Sequence, residues 1–156
     1  MIAVLQSAAT ASVRVDGKTV GEIGQGLLVL LGVSVDDDVH DAEVLARKIA
    51  KCRIFSDEQG KMNRSVIDVG GAVLVVSNFT LLANYVHGNR PDYLAAARPE
   101  QAIPLYEQFC ALMRAEGLPV ATGEFGADMR VMLEGDGPVT IVMNSKELTA
   151  RKESAQ

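Results

Sequence analysis

The sequence predicts a single domain of mixed α/β class, in which two helices cover β-sheets. Three observations predict this class: short apolar runs bounded by glycine and aspartate turns, two longer segments with helical spacing, and a length of 156 residues, which suits one core. Apolar residues make up 48% of the chain and aromatic residues only 4%, so the core should be aliphatic. We expect the domain to span residues 1–143, followed by a polar tail, 144–156.

The first quarter of the chain is predicted to be β-structure. Asp16 and Gly17 form a hairpin signal, and an apolar run that begins at Leu27 is typical of a fully buried strand. The strands predicted here are 1–6, 11–15, 18–23 and 27–35.

Two helices are predicted. Three aspartates at 36–38 favour the start of the first, which should end near Lys51, because carboxylates accept hydrogen bonds from free N–H groups and suit the helix dipole. The second helix should lie between about 99 and 116 and stop at Gly117. Pro104 leaves two alternatives for it: the helix proper begins there, or the helix is kinked.

The remaining elements are shorter. The strands predicted are 53–55, 72–76, 131–133 and 139–143, which gives the order β-β-β-β-α-β-β-α-β-β. Turns are expected at 57–60 and 68–71, and a polar loop at 83–91. The tail should be frayed or partly helical, because it has no apolar partner for a core.

Composition excludes several classes of function. The net charge of −5 argues against a general nucleic-acid-binding surface, and no DNA partner is expected. No stretch approaches a membrane span and the start lacks a basic leader, so we expect a cytoplasmic protein without a membrane partner. Cys52 and Cys110 are predicted to be buried free thiols, and neither has histidine at ligand spacing, so no metal site is expected.

Two segments carry residues that suit chemistry. Residues 77–81 (SNFTL) follow a buried strand, and residues 137–140 (GPVT) lie between two strands. Ser77 or Thr80 could be a nucleophile, but a hydroxyl nucleophile needs a base, and His40 and His87 are the only histidines. The plain alternatives are that the first segment satisfies backbone groups at a strand end and that the second is a turn.

The two segments, their order and their separation resemble the D-aminoacyl-tRNA deacylase family. That family carries Ser-Gln-x-x-Leu after a buried strand and Gly-Pro-x-Thr near the C-terminus. The resemblance spans residues 1 to about 143 and also rests on 13–17, 21–32, 60–63, 68–71, 90–91 and 122–129. It implies three layers of helix, sheet and sheet.

The resemblance implies hydrolysis of the ester in D-aminoacyl-tRNA, and in mischarged glycyl-tRNA, without metal or cofactor. The substrate's 2′-hydroxyl would assist the attack. Backbone N–H groups near Phe79 and Thr80 would hold the substrate and stabilise negative charge, with Ser77 beside them. Thr80 would position the substrate rather than act as the nucleophile. An acidic protein can perform this chemistry, since it needs to touch only one end of the tRNA.

Selectivity is also implied by the resemblance. A cis peptide between Gly137 and Pro138 would enter the pocket of a second copy and reject L-amino acids through main chain, which requires a homodimer. Asn78, Thr140 and Met129 would contribute to substrate binding or selectivity. A phosphate contact is expected from Arg90.

The chain departs from the family's pattern near the expected pocket. Asn78 stands where glutamine is usual, Ser7 where arginine is typical, and Ser7 leaves the Gly-Pro segment without a cationic brace. Further departures are Asn84-Tyr85 for Asp-Thr, Glu124 for Arg and Gly135 for Asn. The alternative that they motivate is a catalytically weak paralogue that binds aminoacyl-nucleotide ligands without efficient turnover.

Overall fold

The structure, a computed structural model, describes residues 1–153. Within that range the chain forms eight strands, three α-helices and one 3₁₀ helix. The strands are β1 (Ile2–Val15), β2 (Lys18–Ile23), β3 (Gly26–Gly32), β4 (Phe55–Ser56), β5 (Met62–Arg64), β6 (Ala72–Ser77), β7 (Val120–Thr122) and β8 (Arg130–Asn144). The helices are α1 (Val39–Ala50), the 3₁₀ helix (Phe79–Leu82), α2 (Pro99–Ala115) and α3 (Ser145–Glu153).

Strand β1 organises the sheet. It pairs antiparallel with β3 through its first half, with β2 through its second half, and with β8 along most of its length. Strand β6 then pairs parallel with β3 and with β7, which gives the order β2-β1-β3-β6-β7. The predicted mixed α/β class is confirmed.

The central strands are buried on both faces, which gives three layers. One face packs under α1 and α2, and the other packs toward β8 and the second half of β1. The face toward the helices carries Ala3, Leu5, Leu27, Val29, Leu31, Val73 and Val75, and the opposite face carries Leu28, Leu30, Leu74 and Val76. This alternation explains why β3 and β6 read as continuous apolar runs in the sequence.

Some predicted boundaries differ from the structure. Segments 1–6 and 11–15 belong to one strand, β1, because pairing with β8 continues between them across shifts in register. Segments 131–133 and 139–143 likewise both lie in β8. Strands β5 and β7 were not predicted, since three residues are too few to show a period.

Both predicted helices are present. Asp38 caps α1, and its carboxylate accepts from the backbone N–H of Asp41 while the Asp41 carboxylate accepts from the N–H of Asp38. Helix α2 begins at Pro99 and continues through Pro104, so the alternative in which it starts at Pro104 is wrong.

The N-terminus is tied to the tail through polar contacts. The Met1 ammonium donates to Asp37 Oδ1 at 2.5 Å and to Ser145 Oγ at 2.7 Å. Ser145 is fully buried and donates to Asp41, and Lys146 Nζ donates to the same carboxylate at 2.8 Å. The tail is therefore anchored, and it forms α3 rather than a frayed end up to residue 153.

The tail also has an apolar contact that its composition did not predict, since Leu148 packs against the main core. Residues 154–156, the end of the predicted tail, lie outside the described part. None of the helices within residues 1–153 is long and apolar enough to cross a membrane.

Candidate active site

A cavity of about 740 Å³ opens where β6 ends. We call it the strand-end cavity. Four consecutive residues of the predicted segment line it: Ser77, Asn78, Phe79 and Thr80. Its apolar lining comes mainly from β3, α2, β8 and the segment 125–129 that precedes β8, so residues distant in sequence form one concave site. Such a cavity, mostly apolar with a few polar groups, is typical of a small-molecule or substrate-end site.

The position of these four residues is set by the end of β6, which pairs with β3. Ser77 pairs with Leu31, and the Asn78 N–H donates to the Leu31 carbonyl at 2.8 Å. The chain then turns into the 3₁₀ helix, which lies directly on Gly32. A Cβ there would stand 3.0 Å from the Asn78 carbonyl oxygen and 3.1 Å from the Leu81 Cβ, so only glycine leaves room for this approach.

The Thr80 hydroxyl donates to Asn78 Oδ1 at 2.5 Å. No histidine lines the cavity among the described residues: His40 contacts Glu43 at 3.7 Å on α1, and His87 lies in the exposed loop 84–92. Thr80 thus has an amide oxygen as its partner, and among the described residues no histidine in the cavity could remove its proton. This arrangement does not favour a Ser-His-Asp or Thr-His mechanism.

Backbone donors are available at the same point. Within residues 1–153 no acceptor is found for the N–H groups of Phe79 and Thr80, which open the 3₁₀ helix. The first N–H groups of a helix lack partners within the helix. These two groups could therefore hold an oxygen of a bound ligand.

Phe79 lines the cavity and is 57% exposed. It contacts Tyr93 edge-on, with ring centroids 5.1 Å apart. Tyr93 follows loop 84–92, whose ends are joined by hydrogen bonds between Asn84 and Asp92. The ring of Phe79 thus forms part of the open rim rather than the core.

Tyr106 of α2 forms part of the cavity wall, a position that no local sequence pattern predicted. Its hydroxyl donates to the Val75 carbonyl at 2.9 Å, and burial raises the pKa of the phenol well above its usual range. Tyr106 also contacts Phe125 at a centroid distance of 5.9 Å. The neutral phenol with its donor occupied is suited to a structural role in the wall.

The two cysteines offer no nucleophile. Both are free thiols; Cys110 is buried, whereas Cys52 is only half-buried, which corrects the expectation for that residue. Burial raises the pKa of Cys110 to about 11 and also raises the pKa of Cys52. Both therefore remain protonated at neutral pH.

The segment between β7 and β8 closes another side of the cavity. Met129, a predicted site residue, lines it, and so does Asp128, which the sequence did not single out. Gly126 has a φ of 76°, a turn conformation that lets the chain reverse here. Among the described residues, Asp128 supplies the single charged side chain in the lining of this cavity.

The second predicted segment lies elsewhere in the protomer. The peptide between Gly137 and Pro138 is cis, as expected. In the β1–β8 pairing, Gln6 faces Thr140 and Ala8 faces Gly135, so the four residues between, the 136–139 loop, bulge out of the strand. The loop borders a different cavity, of about 300 Å³.

Within one protomer, therefore, Gly137 and Pro138 do not line the strand-end cavity, and both are exposed. Thr140, on the ladder beside them, is exposed and lines neither cavity. The Gly137-Pro138 and 77–80 segments could form one site only if a second copy brought them together.

Ser7 holds the 136–139 loop. It is buried, and its hydroxyl donates to the backbone carbonyl of Asp136. The structure agrees with the expectation that this segment has no cationic side chain from position 7, and it adds that the Ser7 hydroxyl contacts the segment instead. The side chain that contacts the loop is therefore a short, neutral serine and not a cation.

Arg90 lies in loop 84–92, exposed and outside the lining of the strand-end cavity. The structure gives its guanidinium no hydrogen bond or ion pair within residues 1–153. The same described part contains no group of three histidine, cysteine, aspartate or glutamate side chains that could hold a metal ion.

Comparison with known proteins identifies the family to which this chain is similar. Residues 4–144 match the family model described as D-Tyr-tRNA(Tyr) deacylase. A protein of Chloroflexus aurantiacus named D-aminoacyl-tRNA deacylase is 58% identical over 95% of this chain and 92% of its own length.

Two solved structures share the fold. One, described as a c-Myc DNA unwinding element binding protein, is 41% identical, with a TM-score of 0.86 over 92% of this chain and 98% of its own. The other, described as a probable eukaryotic D-amino acid tRNA deacylase, has a TM-score of 0.77 over the same shares; at 18% identity it supports the fold alone.

Proposed function

Because the chain belongs to the D-Tyr-tRNA(Tyr) deacylase family, we propose that it hydrolyses the ester bond of D-aminoacyl-tRNA and releases the free amino acid and the tRNA. The observation that carries the proposal is 58% identity, over nearly the whole chain, to a protein named for this activity. A substrate of this kind locates the reaction in the cytoplasm. The strand-end cavity is the site of the chemistry.

The mechanism relies on the substrate and the backbone. Water attacks the ester carbonyl, the bond to the ribose oxygen breaks, and that oxygen regains a proton. The neighbouring 2′-hydroxyl assists proton transfer, which agrees with a cavity in which the Thr80 hydroxyl donates to Asn78 and not to a histidine. The N–H groups of Phe79 and Thr80 hold the carbonyl oxygen and stabilise its developing negative charge.

Selectivity comes from a second copy of the chain. Gly137 and Pro138 of one subunit enter the strand-end cavity of the other, and their main chain leaves no room for an L side chain. The separation of the two segments in the protomer and the exposure of the 136–139 loop support this arrangement. Glycine, without a side chain, passes the filter, so mischarged glycyl-tRNA is also a substrate.

Contact with the tRNA is confined to its acceptor end. The net charge of −5 disfavours a broad electrostatic footprint on the nucleic acid. Arg90 contacts a phosphate near that end, which agrees with its exposure and with the lack of a protein partner for its guanidinium among the described residues. Phe79 forms the rim over which the terminal adenosine lies.

The test is release of the amino acid from D-Tyr-tRNA, L-Tyr-tRNA and Gly-tRNA by the purified protein under single-turnover conditions. The proposal predicts release from the D and glycyl substrates and none above background from the L substrate. Release from none of them, with tight binding of D-Tyr-tRNA by a folded protein, would support the weak-paralogue alternative instead.

A further inference from the structure

We propose that the segment 53–64, which contains β4 and β5, binds phosphates at the acceptor end of the tRNA whose aminoacyl group lies in the second subunit's strand-end cavity. We call this segment the basic hairpin, after its cations Arg53, Lys61 and Arg64. The inference rests on the proposed function and deepens it by naming a surface that holds the nucleic acid outside the reaction site.

Positive charge is concentrated in one stretch of this acidic protein. Six of its 15 lysines and arginines lie in residues 47–64, a stretch with only two acidic residues. Arg47 and Lys48 belong to the last turn of α1, where the helix dipole favours a cation. The dipole does not account for Lys61 and Arg64, which lie in and beside β5. A local excess of exposed positive charge is the pattern that favours phosphate.

The three cations of the basic hairpin are exposed, and among residues 1–153 no carboxylate lies within ion-pair distance of them. The carboxylates nearby hold turns instead. Asp57 accepts from the Lys61 N–H at 3.0 Å, and Asp68 accepts from the Ser65 N–H at 2.8 Å. The positive charge of the hairpin is therefore available to an anion from outside the protein.

Backbone carbonyls hold the two arginines in place. Arg53 Nε donates to the Asn63 carbonyl at 2.9 Å, and Arg64 Nη2 donates to the Asp68 carbonyl at 2.7 Å. A guanidinium has five N–H donors, so each of these bonds leaves further donors for a ligand. Guanidinium groups fixed in this way suit phosphate oxygens, which accept paired hydrogen bonds.

The basic hairpin lies beside the 136–139 loop. Phe55, Ser56 and Met62 share the lining of the cavity of about 300 Å³ with Gly137 and Pro138. In the proposed dimer this loop enters the strand-end cavity of the second subunit, so the hairpin next to it approaches the mouth of that cavity. A tRNA whose aminoacyl group occupies the cavity leaves through the mouth, where its phosphates meet the hairpin.

The test compares D-Tyr-tRNA with 3′-O-D-tyrosyl-adenosine, which keeps the ester and the ribose but has no phosphate. Hydrolysis of both is measured as kcat and KM for the wild type, for Lys61→Gln with Arg64→Gln, and for the control Arg47→Gln with Lys48→Gln. The control removes the same two charges from exposed positions on α1. The cavity that Arg47 and Lys48 border shares no residue with the one beside the 136–139 loop.

The hairpin substitutions should lower kcat/KM for D-Tyr-tRNA roughly 5- to 30-fold, through KM, which is the effect of losing two exposed charge contacts. The slope of log kcat/KM against log salt concentration should flatten by about 1.4 to 1.8, because two phosphate contacts are lost. Hydrolysis of D-tyrosyl-adenosine should change by less than about twofold, and so should both substrates in the control.

A loss on both substrates would show that the hairpin only supports the 136–139 loop, and an equal loss in the control would show a general effect of net charge. Either result overturns the inference, as does the absence of any loss. In each case wild-type hydrolysis of D-Tyr-tRNA leaves the proposed function intact. An inactive wild type would overturn the proposed function and this inference together.

Mixed dimers show which subunit supplies the phosphate contact. If one subunit carries Thr80→Trp, which fills its cavity, and the other Gly137→Val, which alters its loop, the one complete site combines the second subunit's cavity with the first subunit's loop. The hairpin substitutions should weaken hydrolysis when they are added to the Thr80→Trp subunit and not when they are added to the Gly137→Val subunit. The reverse result, or inactive mixed dimers, would overturn the inference.

Discussion

At the scale of single residues, the site is defined by what surrounds Thr80. A hydroxyl in the lining of the cavity would suggest a nucleophile, but its partner is an amide oxygen and no histidine of the described chain lines the cavity. The structure therefore offers Thr80 no histidine base, and the proposed chemistry draws on other groups. The free backbone N–H groups beside Thr80 are such groups.

Thr80→Ala should retain substantial activity, within about tenfold of the wild type, because it removes a positioning hydroxyl and leaves the backbone donors in place. Single-turnover hydrolysis of D-Tyr-tRNA measures this, with Thr80→Val as a control that keeps the side-chain volume. A loss of roughly 1,000-fold or more in both variants would identify Thr80 as the nucleophile.

A second residue, Asp41, links stability to pH. Burial alone would raise the pKa of its carboxyl, but hydrogen bonds from Lys146, Ser145 and the Asp38 backbone outweigh burial and lower the pKa from 3.8 to about 2. Because the pKa of Asp41 is lower in the folded protein than in the unfolded chain, its ionised carboxylate stabilises the fold at pH values above about 3.8. This contribution is lost as the pH falls from about 3.8 toward 2.

Replacing Asp41 with asparagine should therefore cost ~1–2 kcal/mol at neutral pH, with the half-exposed Lys146 reducing the effect by screening. The difference in free energy of unfolding between wild type and Asp41→Asn should shrink as the pH is lowered from 5 to 2.5. Glu43→Gln, on the same helix, serves as control. A difference that does not change with pH would refute the linkage.

At the scale of elements, the β1–β8 pairing determines where the 136–139 loop, which we propose as the selectivity element, leaves the sheet. Four residues of β8 stand opposite the single residue Ser7, so the 136–139 loop leaves the sheet at a fixed point. The Ser7 hydroxyl bonds the loop at Asp136, and Val139 packs against the main core where the loop returns. The loop is thus held at both ends, as a rigid steric filter requires.

Ser7→Ala should loosen the loop while leaving the fold intact. One hydrogen bond is worth about 1 kcal/mol, so the ratio of D-Tyr-tRNA to L-Tyr-tRNA hydrolysis should fall roughly fivefold, mainly through faster release from the L substrate. Thr10→Ala is a matched control, because Thr10 also bonds from β1 to β8, at Glu134, outside the loop. Unchanged selectivity in Ser7→Ala would show that the hydroxyl does not position the filter.

Some of these elements could be predicted from the sequence, whereas two residues of the cavity could not. The helix start at Asp38, the buried strands and the polar segment after β6 were predictable, because caps and apolar runs are local signals. The positions of Tyr106 and Asp128 in the cavity lining were not predictable, because no local sequence pattern marks either residue. Only the packing of α2 and of the β7–β8 segment brings them to the cavity that Ser77 borders.

At the scale of the whole molecule, the two segments that we propose form one site lie apart within a protomer. The strand-end cavity holds the backbone donors and Asp128, whereas Gly137 and Pro138 border another cavity. Apolar side chains also remain exposed, among them Val131 and Val142 of β8. Exposed apolar groups beside an incomplete site favour a second copy as the partner that completes it.

The central claim is that two subunits build each D-selective site, and complementation of two inactive variants tests it most directly. Thr80→Trp fills the exposed mouth of the strand-end cavity. Gly137→Val strains the 136–139 loop, because Gly137 has a φ of 133° and a Cβ there would stand 2.9 Å from the Val139 nitrogen. It also adds a side chain to the segment that we propose enters the partner's cavity, so it should block the D substrate as well. Each variant alone should be nearly inactive.

After the two are mixed and refolded together, hydrolysis of D-Tyr-tRNA should return to about a quarter of the wild-type rate, since half of the dimers would be mixed, each with one complete site of two. Each variant refolded with itself is the control. Inactivity of the mixture, when native mass spectrometry shows that mixed dimers have formed, would contradict the account and locate the whole site within one subunit.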